Sequence, residues 1–329
     1  MSDSLFLKAF DGTNEKTPVW FMRQAGRYLP EYQAIRRNHD LNDMFRNPEI
    51  AAEVTCQPID ILGVDAAILF ADILTLPSLM GADIHFDPQK GPIITPIKRV
   101  SSLNDIDSIE YVGRTIGLVQ NELKGKVPLI GFAGSPFTVM TYLIEGGSTT
   151  NFRKTINFMC TQTEEYHALM EILTRNTITY LEMQKQAGID VFQLFDSWIG
   201  VLNKDIYTQY VLPYVQQIFN RVDLPSIYFA KHAPHLLEVI EPINFDFLSV
   251  CDLVDFDNPI IAKSNKGIQG NLFNGLLYAD DQTLIAETTK VLTKAKSLKK
   301  HIFNLGHGIF PDVNPNKLKL IVDTVHNFS

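Results

Sequence analysis

Disulfide and metal chemistry both lack their usual signs in this chain. Its three cysteines, Cys56, Cys160 and Cys251, stand far apart, with no CxxC pair and no zinc-ribbon spacing. Neither a disulfide framework nor a cysteine metal site is expected, and a reducing cytoplasm fits best. Glycine-rich nucleotide turns are missing too: there is no GxGxxG and no GxxxxGK[ST], which removes the main argument for a doubly wound nucleotide-binding sheet. Positive charge is in deficit, with 29 basic against 37 acidic residues and a formal charge of -8. Such a chain repels nucleic acid and anionic lipid on average, so neither is expected as a partner, and an anionic ligand would need a local cluster of cations. The opening MSDSLFLKAFDG has no basic segment followed by a long apolar one, and no secretory signal is expected from it. Long charge-free runs are rare. The one that raises the question of a bilayer, VPLIGFAGSPFTVMTYLI at 127–144, carries two glycines, a serine and a proline in its middle, where a spanning helix needs unbroken structure. Strand, turn and helix start is the better reading.

What remains is a globular composition. Of the 329 residues 45% are hydrophobic and 20% charged, enough for a sizeable core, and the length suits either two ordinary domains or one large α/β barrel. Eight short apolar runs decide between them: PVWFM (18–22), AAILF (66–70), PLIGF (128–132), DVFQLF (190–195), SIYFA (226–230), DFLSV (246–250), GIQGN (267–271) and HIFNL (301–305). Most are separated by stretches with apolar residues at three- and four-residue intervals, such as 48–63, 151–188 and 281–298, which is helical spacing. Strand then helix, repeated eight times, is the pattern of a (β/α)8 barrel. The segment 83–98, DIHFDPQKGPIITPIK, interrupts the alternation and predicts an inserted hairpin. With no linker, low-complexity tract or fixed-period repeat, a single domain over 1–329 is expected.

Barrel enzymes work at the carboxyl ends of their strands, so the residues just after each run carry the chemistry. In order come Arg23, Gln24 and Arg27; Asp72; Ser135 and Tyr142; Asp196 and Ser197; Lys231 and His232; Asp252; Asn271; and His307. Plainer readings compete. Arg23 and Arg27 also fit a solvated helix face, although Gly26 between them points to a loop shaped for close approach. Asp72 and Ser197 fit helix caps, and Tyr142 a core residue anchored by its hydroxyl. Lys231 and His232 read as surface or supporting residues, whereas His307, between two glycines, is a poor core histidine. Together the set offers two arginines, a histidine, an acid and two hydroxyls, without metal-ligand spacing, nucleophile–base pair or phosphate loop. Guanidinium forks match carboxylates in bidentate geometry, so the mouth looks built for a polyanion.

FMRQAGRYLPEY (21–32) and GFAGSPFTVMTYLIEGG (131–147) resemble the two signatures of the uroporphyrinogen decarboxylase family, and LFADIL, QLFDSW and LGHGIFPDVNP look like further family segments in the expected order. The resemblance covers the chain. It implies a distorted (β/α)8 TIM barrel, a cytoplasmic homodimer, and decarboxylation of the four acetates of uroporphyrinogen III to coproporphyrinogen III with no metal or organic cofactor. By the same carry-over Arg23, Arg27 and His307 would hold substrate carboxylates and Asp72 would accept the pyrrole N–H groups. Tyr142 and Ser197 would stand near a reacting acetate, and Ile68 and Phe195 would wall the macrocycle. Asp72, Arg23 and Tyr142 would be the catalytic groups.

Three stretches depart from the family's pattern: Phe273-Asn274 where Asp-Pro is common, Cys251-Asp252-Leu253 where Leu-Asp-Trp is, and Lys231-His232 where Lys-Gly is. Two alternatives remain open. A cobamide-dependent methyltransferase of the same superfamily would need a His-x-Cys pair, which is missing, and a non-catalytic tetrapyrrole carrier would keep the arginines without turnover.

Overall fold

A computed structural model of the chain describes residues 4–87, 90–97 and 99–328. Nine strands appear in it: β1 (Ala67–Ile68), β2 (Ile84–Asp87), β3 (Gly91–Ile94), β4 (Leu129–Gly134), β5 (Val191–Asp196), β6 (Ser226–Ala230), β7 (Phe247–Val250), β8 (Gly267–Gln269) and β9 (His301–Ile302). Seven of them form one parallel sheet in the order β1-β4-β5-β6-β7-β8-β9, so strands adjacent in the sheet follow one another along the chain, as short crossovers through helices require. The eighth stave is the 18–22 run. Val19 bridges Phe303 in parallel, next to β9, and the Val19 carbonyl accepts the Asp65 N–H at 2.8 Å, next to β1. Bonded to both edges, this segment closes the sheet into a barrel and leaves no open edge.

All eight apolar runs thus lie where staves were expected, although several contribute only two or three ladder residues. The uncharged 127–144 stretch is β4, a turn at Ser135 and the helix Pro136–Glu145. No helix among the described residues is long and apolar enough to cross a membrane. Within 83–98, β2 and β3 pair antiparallel; Pro88, Gln89 and Lys98 of that stretch lie outside the described residues. The 151–188 stretch, read as one helical pattern, is two helices, Arg153–Thr161 and Thr163–Ala187, parted at Gln162, whose φ of -131° and ψ of 53° leave the helical region.

Side chains alternate across each strand, and the register sorts them. Phe195 pairs with Phe229, and Phe229 with Ser249, so these point to one side, as do Gln193 two residues below Phe195 and Gln269 beside Ser249. That side is the barrel interior, where the Trp20 indole donates to Gln269 Oε1 (2.8 Å) and the Gln269 amide donates to Gln193 Oε1 (3.0 Å) and Ser249 Oγ (2.8 Å). Residues of the other parity meet the helices. Gly131 is one: a Cβ there would stand 2.5 Å from Gln184 Oε1 and from Ile189 Cδ1, so only glycine lets the helix Thr163–Ala187 pack this close.

Candidate active site

The loop after the first stave is clamped from two sides. Asn304 Oδ1 accepts the N–H groups of both Met22 (3.1 Å) and Leu305 (2.8 Å), and the Ile309 N–H donates to the Met22 carbonyl (3.1 Å). Gln24, fully buried, donates to the Ala66 carbonyl at 2.9 Å and accepts from Phe21 N–H at 3.1 Å. This ties the arginine loop to the strand that leads to Asp72 and to the turn that carries His307. Between the clamps Arg23 takes φ = 64°, a left-handed conformation that costs a non-glycine residue roughly 1–2 kcal/mol. Its side chain lies across Gly308, where a Cβ would stand 2.5 Å from Arg23 Cδ. Such strain is the kind found where a side chain must be aimed.

Four groups feel the charge of Arg23: Asp72, Tyr142, Lys231 and His307. Asp72 lies in the turn after β1, where its Oδ1 accepts the Leu74 N–H at 2.8 Å. The helix Thr75–Leu79 has Leu74 at its N-cap without a side-chain bond, but Leu74 is itself in the right-handed helical region, and the Asp72 N–H donates to Thr75 Oγ1 at 3.3 Å, so Asp72 also closes a cap-like turn one step ahead of the helix. The other carboxylate oxygen has no hydrogen-bond partner among the described residues. Desolvation raises the Asp72 pKa, opposed by the Leu74 N–H and by Arg23; the residue is partly accessible from the mouth, yet protein surrounds it.

Tyr142, on the helix Pro136–Glu145, is half-buried and stacked on Trp198 with centroids 4.0 Å apart. Burial, then the Asp72 charge, pushes its phenol up to about 12, against the Ser148 hydroxyl and Arg23. Ser197 caps nothing: the helical turn beyond it, Ile199–Val201, has Trp198 at its N-cap and no side-chain bond. Phe195 meets Phe132 and Phe229 edge-on at 5.5 and 5.7 Å between centroids, and Ile68, 8% exposed, belongs to the same apolar lining. Burial drives the His307 imidazole down to about 3, helped by Lys231, Arg23 and His232. At neutral pH the imidazole of the unliganded site is therefore neutral.

Arg23, Asp72, Tyr142 and His307 are thus brought together. Arg27 is not drawn into their cluster; like Arg23 it is exposed, but its charge bears on Tyr32. Two residues read from sequence as surface or supporting stand beside the cluster: His232 is exposed and Lys231 half-buried, and the charge of each bears on His307. Their signal was the strand-end position itself. Asn274, at one of the departures, is buried and donates to the Gly308 carbonyl at 2.9 Å, propping the backbone over which Arg23 lies. Among the described residues no three His, Cys, Asp or Glu side chains are grouped to hold a metal ion.

The barrel's strand ends thus place Arg23 within electrostatic reach of the half-satisfied Asp72 carboxylate and of Lys231 and His307, at the end of the barrel where such folds carry their active sites. The chain belongs to the uroporphyrinogen decarboxylase (URO-D) family, whose profile matches residues 1–328. It is 45% identical to the uroporphyrinogen decarboxylase of Thermodesulfovibrio yellowstonii, over 98% of this chain and 97% of that protein, and 42% identical to that of Desulfotalea psychrophila, over 100% and 99%. Among solved structures a methyltransferase from Methanosarcina mazei superposes with a TM-score of 0.82 at 20% identity, covering 98% of each chain; at that identity the likeness carries the fold alone.

Proposed function

We propose that this chain is a carboxy-lyase of haem biosynthesis that removes CO2 from the four acetate side chains of uroporphyrinogen III, leaving coproporphyrinogen III. The observation that carries the reading is Asp72: a desolvated carboxylate with one oxygen held by the Leu74 N–H and the other free, within electrostatic reach of Arg23 and Tyr142. Pyrrole N–H groups pointing into the ring centre would supply the missing donors.

The substrate serves as its own electron sink. A proton adds to the ring carbon beside the acetate, the bond to the carboxylate breaks, and its electron pair neutralises the ring cation as CO2 leaves. A second proton converts the exocyclic methylene to methyl while the ring proton departs, so each acetate consumes one proton. The protein's tasks are to stabilise the passing cation, which suits the Asp72 carboxylate, and to hold the peripheral carboxylates, which suits Arg23 and Arg27. His307 would donate to a carboxylate. Tyr142 and Ser197 would flank the reacting acetate, and Ile68 and Phe195 would line the macrocycle. We infer a homodimer in the cytoplasm with no cofactor.

Anaerobic incubation of the pure protein with uroporphyrinogen, and chromatography of the carboxyl number, tests this. Four losses, persisting after exhaustive chelation, are expected. Binding without CO2 loss would make the chain a carrier, and a loss of activity restored by one stoichiometric metal would overturn the cofactor-free reading.

A further inference from the structure

Lys231 directly follows β6, and its N–H donates to the Asp196 carbonyl of β5 at 3.2 Å, extending the ladder by one step. Parity then places it. Phe229, two residues earlier, pairs with Phe195 on the interior side, and carrying that alternation one residue past the end of β6, into the turn that begins at Lys231, puts Lys231 on the same side, level with Ser197. Arg23 and Cys251 lie within electrostatic reach of it, as it does of His307. The residue is half-buried, yet its ammonium makes no hydrogen bond or ion pair among the described residues. Other lysines, such as Lys204, Lys294 and Lys317, have carboxylate partners. The nearby acid Asp252 acts on His232 instead. An ammonium partly drawn out of water beside a guanidinium, with no protein anion to answer it among the described residues, is placed to take one from a ligand.

We propose that Lys231 is a further substrate-contacting residue, its ammonium holding one carboxylate of the polycarboxylate substrate together with Arg23; this rests on the proposed function. The cationic set of the mouth is then the exposed Arg23 and the half-buried Lys231, with Arg27 apart from them. Desolvation and Arg23 both lower the Lys231 pKa, the direction expected of a cation waiting for its counter-ion.

The test compares the parent with Lys231→Met and Lys231→Arg for thermal melting and for kcat and KM with uroporphyrinogen. Lys231→Met should melt no lower than the parent, because an unanswered charge has been removed, while KM rises about tenfold or more and kcat changes much less. Lys231→Arg should recover part of the KM. Raised ionic strength should weaken the parent's KM more than that of Lys231→Met, since one charge pair is gone. A parental KM in Lys231→Met overturns the assignment of Lys231 and leaves the decarboxylase reading intact. So does a fall in kcat at unchanged KM, or a melting loss in Lys231→Met that Lys231→Arg restores. If the parent itself releases no CO2 from uroporphyrinogen, the proposed function fails and the Lys231 assignment falls with it.

Discussion

Asp72 at the barrel mouth, surrounded by protein yet partly accessible, and Asp196, fully buried on the outer side of β5, are both desolvated carboxylates, and their partners differ. Asp196 is answered by its own fold: Thr138 Oγ1 donates to one oxygen at 2.7 Å and the Tyr228 hydroxyl to the other at 2.8 Å, with the Tyr207 hydroxyl 3.0 Å behind. Asp72 is answered by a single backbone N–H. Desolvation raises the pKa of each, to about 6 for Asp196. Both Asp196 oxygens are sealed inside the fold, whereas Asp72 is partly accessible from the mouth. One carboxylate has a hydroxyl for each oxygen and the other keeps an open oxygen, the difference expected if Asp72, as proposed above, takes its remaining donors from a substrate.

The sharpest way to break that contrast is to remove charge from each carboxylate without changing its shape. Asp72→Asn keeps an acceptor for the Leu74 N–H and should melt near the parent, while kcat and kcat/KM fall together by about 10²–10³, the usual worth of a preorganised electrostatic group. Asp72→Glu should also be poor, because an added methylene pushes the carboxylate off the point where ring N–H groups converge. Retained kcat with a shifted melting temperature would return Asp72 to a structural role.

Asp196→Asn should do the reverse, with kcat within a few-fold of the parent and an altered pH dependence of stability. The folded pKa of Asp196, about 6, exceeds its unfolded value of 3.8, so the folded state binds the proton more tightly and the parent loses stability as pH rises from about 4 to about 6. The variant lacks that contribution. Measured by denaturant unfolding, its stability relative to the parent should improve by about 2–3 kcal/mol between pH 4 and pH 7; an unchanged difference would mean that Asp196 is charged throughout.

Legibility from sequence divides along the same line, between local pattern and remote surroundings. Apolar runs bounded by turn residues located all eight staves, because buried parallel strands announce themselves by composition, and the strand-end rule collected Arg23, Asp72, Tyr142 and His307. Properties that depend on register or on remote neighbours were hidden. Lys231 reads as a surface lysine until its parity with Phe229 and Phe195 is known. The neutrality of His307 comes from burial and from charges on two other loops. The reduction of the first stave to a bridge at Val19 depends on partners 284 positions away at Phe303 and 46 away at Asp65. The break at Gln162 fell within an unbroken helical pattern and left no signal of its own.

Smaller effects sharpen the contrast within the mouth. Arg27→Ala should raise KM about tenfold, the loss of one exposed guanidinium contact with a carboxylate, with partial rescue by Arg27→Lys; a parental KM would assign Arg27 to the solvated surface. Gly308→Ala places a methyl against Arg23 Cδ. Since a flexible side chain can yield, the melting temperature should hold while KM rises several-fold as the guanidinium is displaced. An unchanged KM would show that the Arg23 pose over Gly308 does not matter.

The most direct measurement titrates both carboxylates by carbon-13 NMR of aspartate-labelled protein, with and without coproporphyrinogen under anaerobic conditions. Binding should lower the Asp72 pKa, as pyrrole N–H donors favour its charged form, and should leave that of Asp196 where it was. An Asp72 pKa that does not move in the saturated complex would contradict the claim that its open oxygen is kept for the macrocycle.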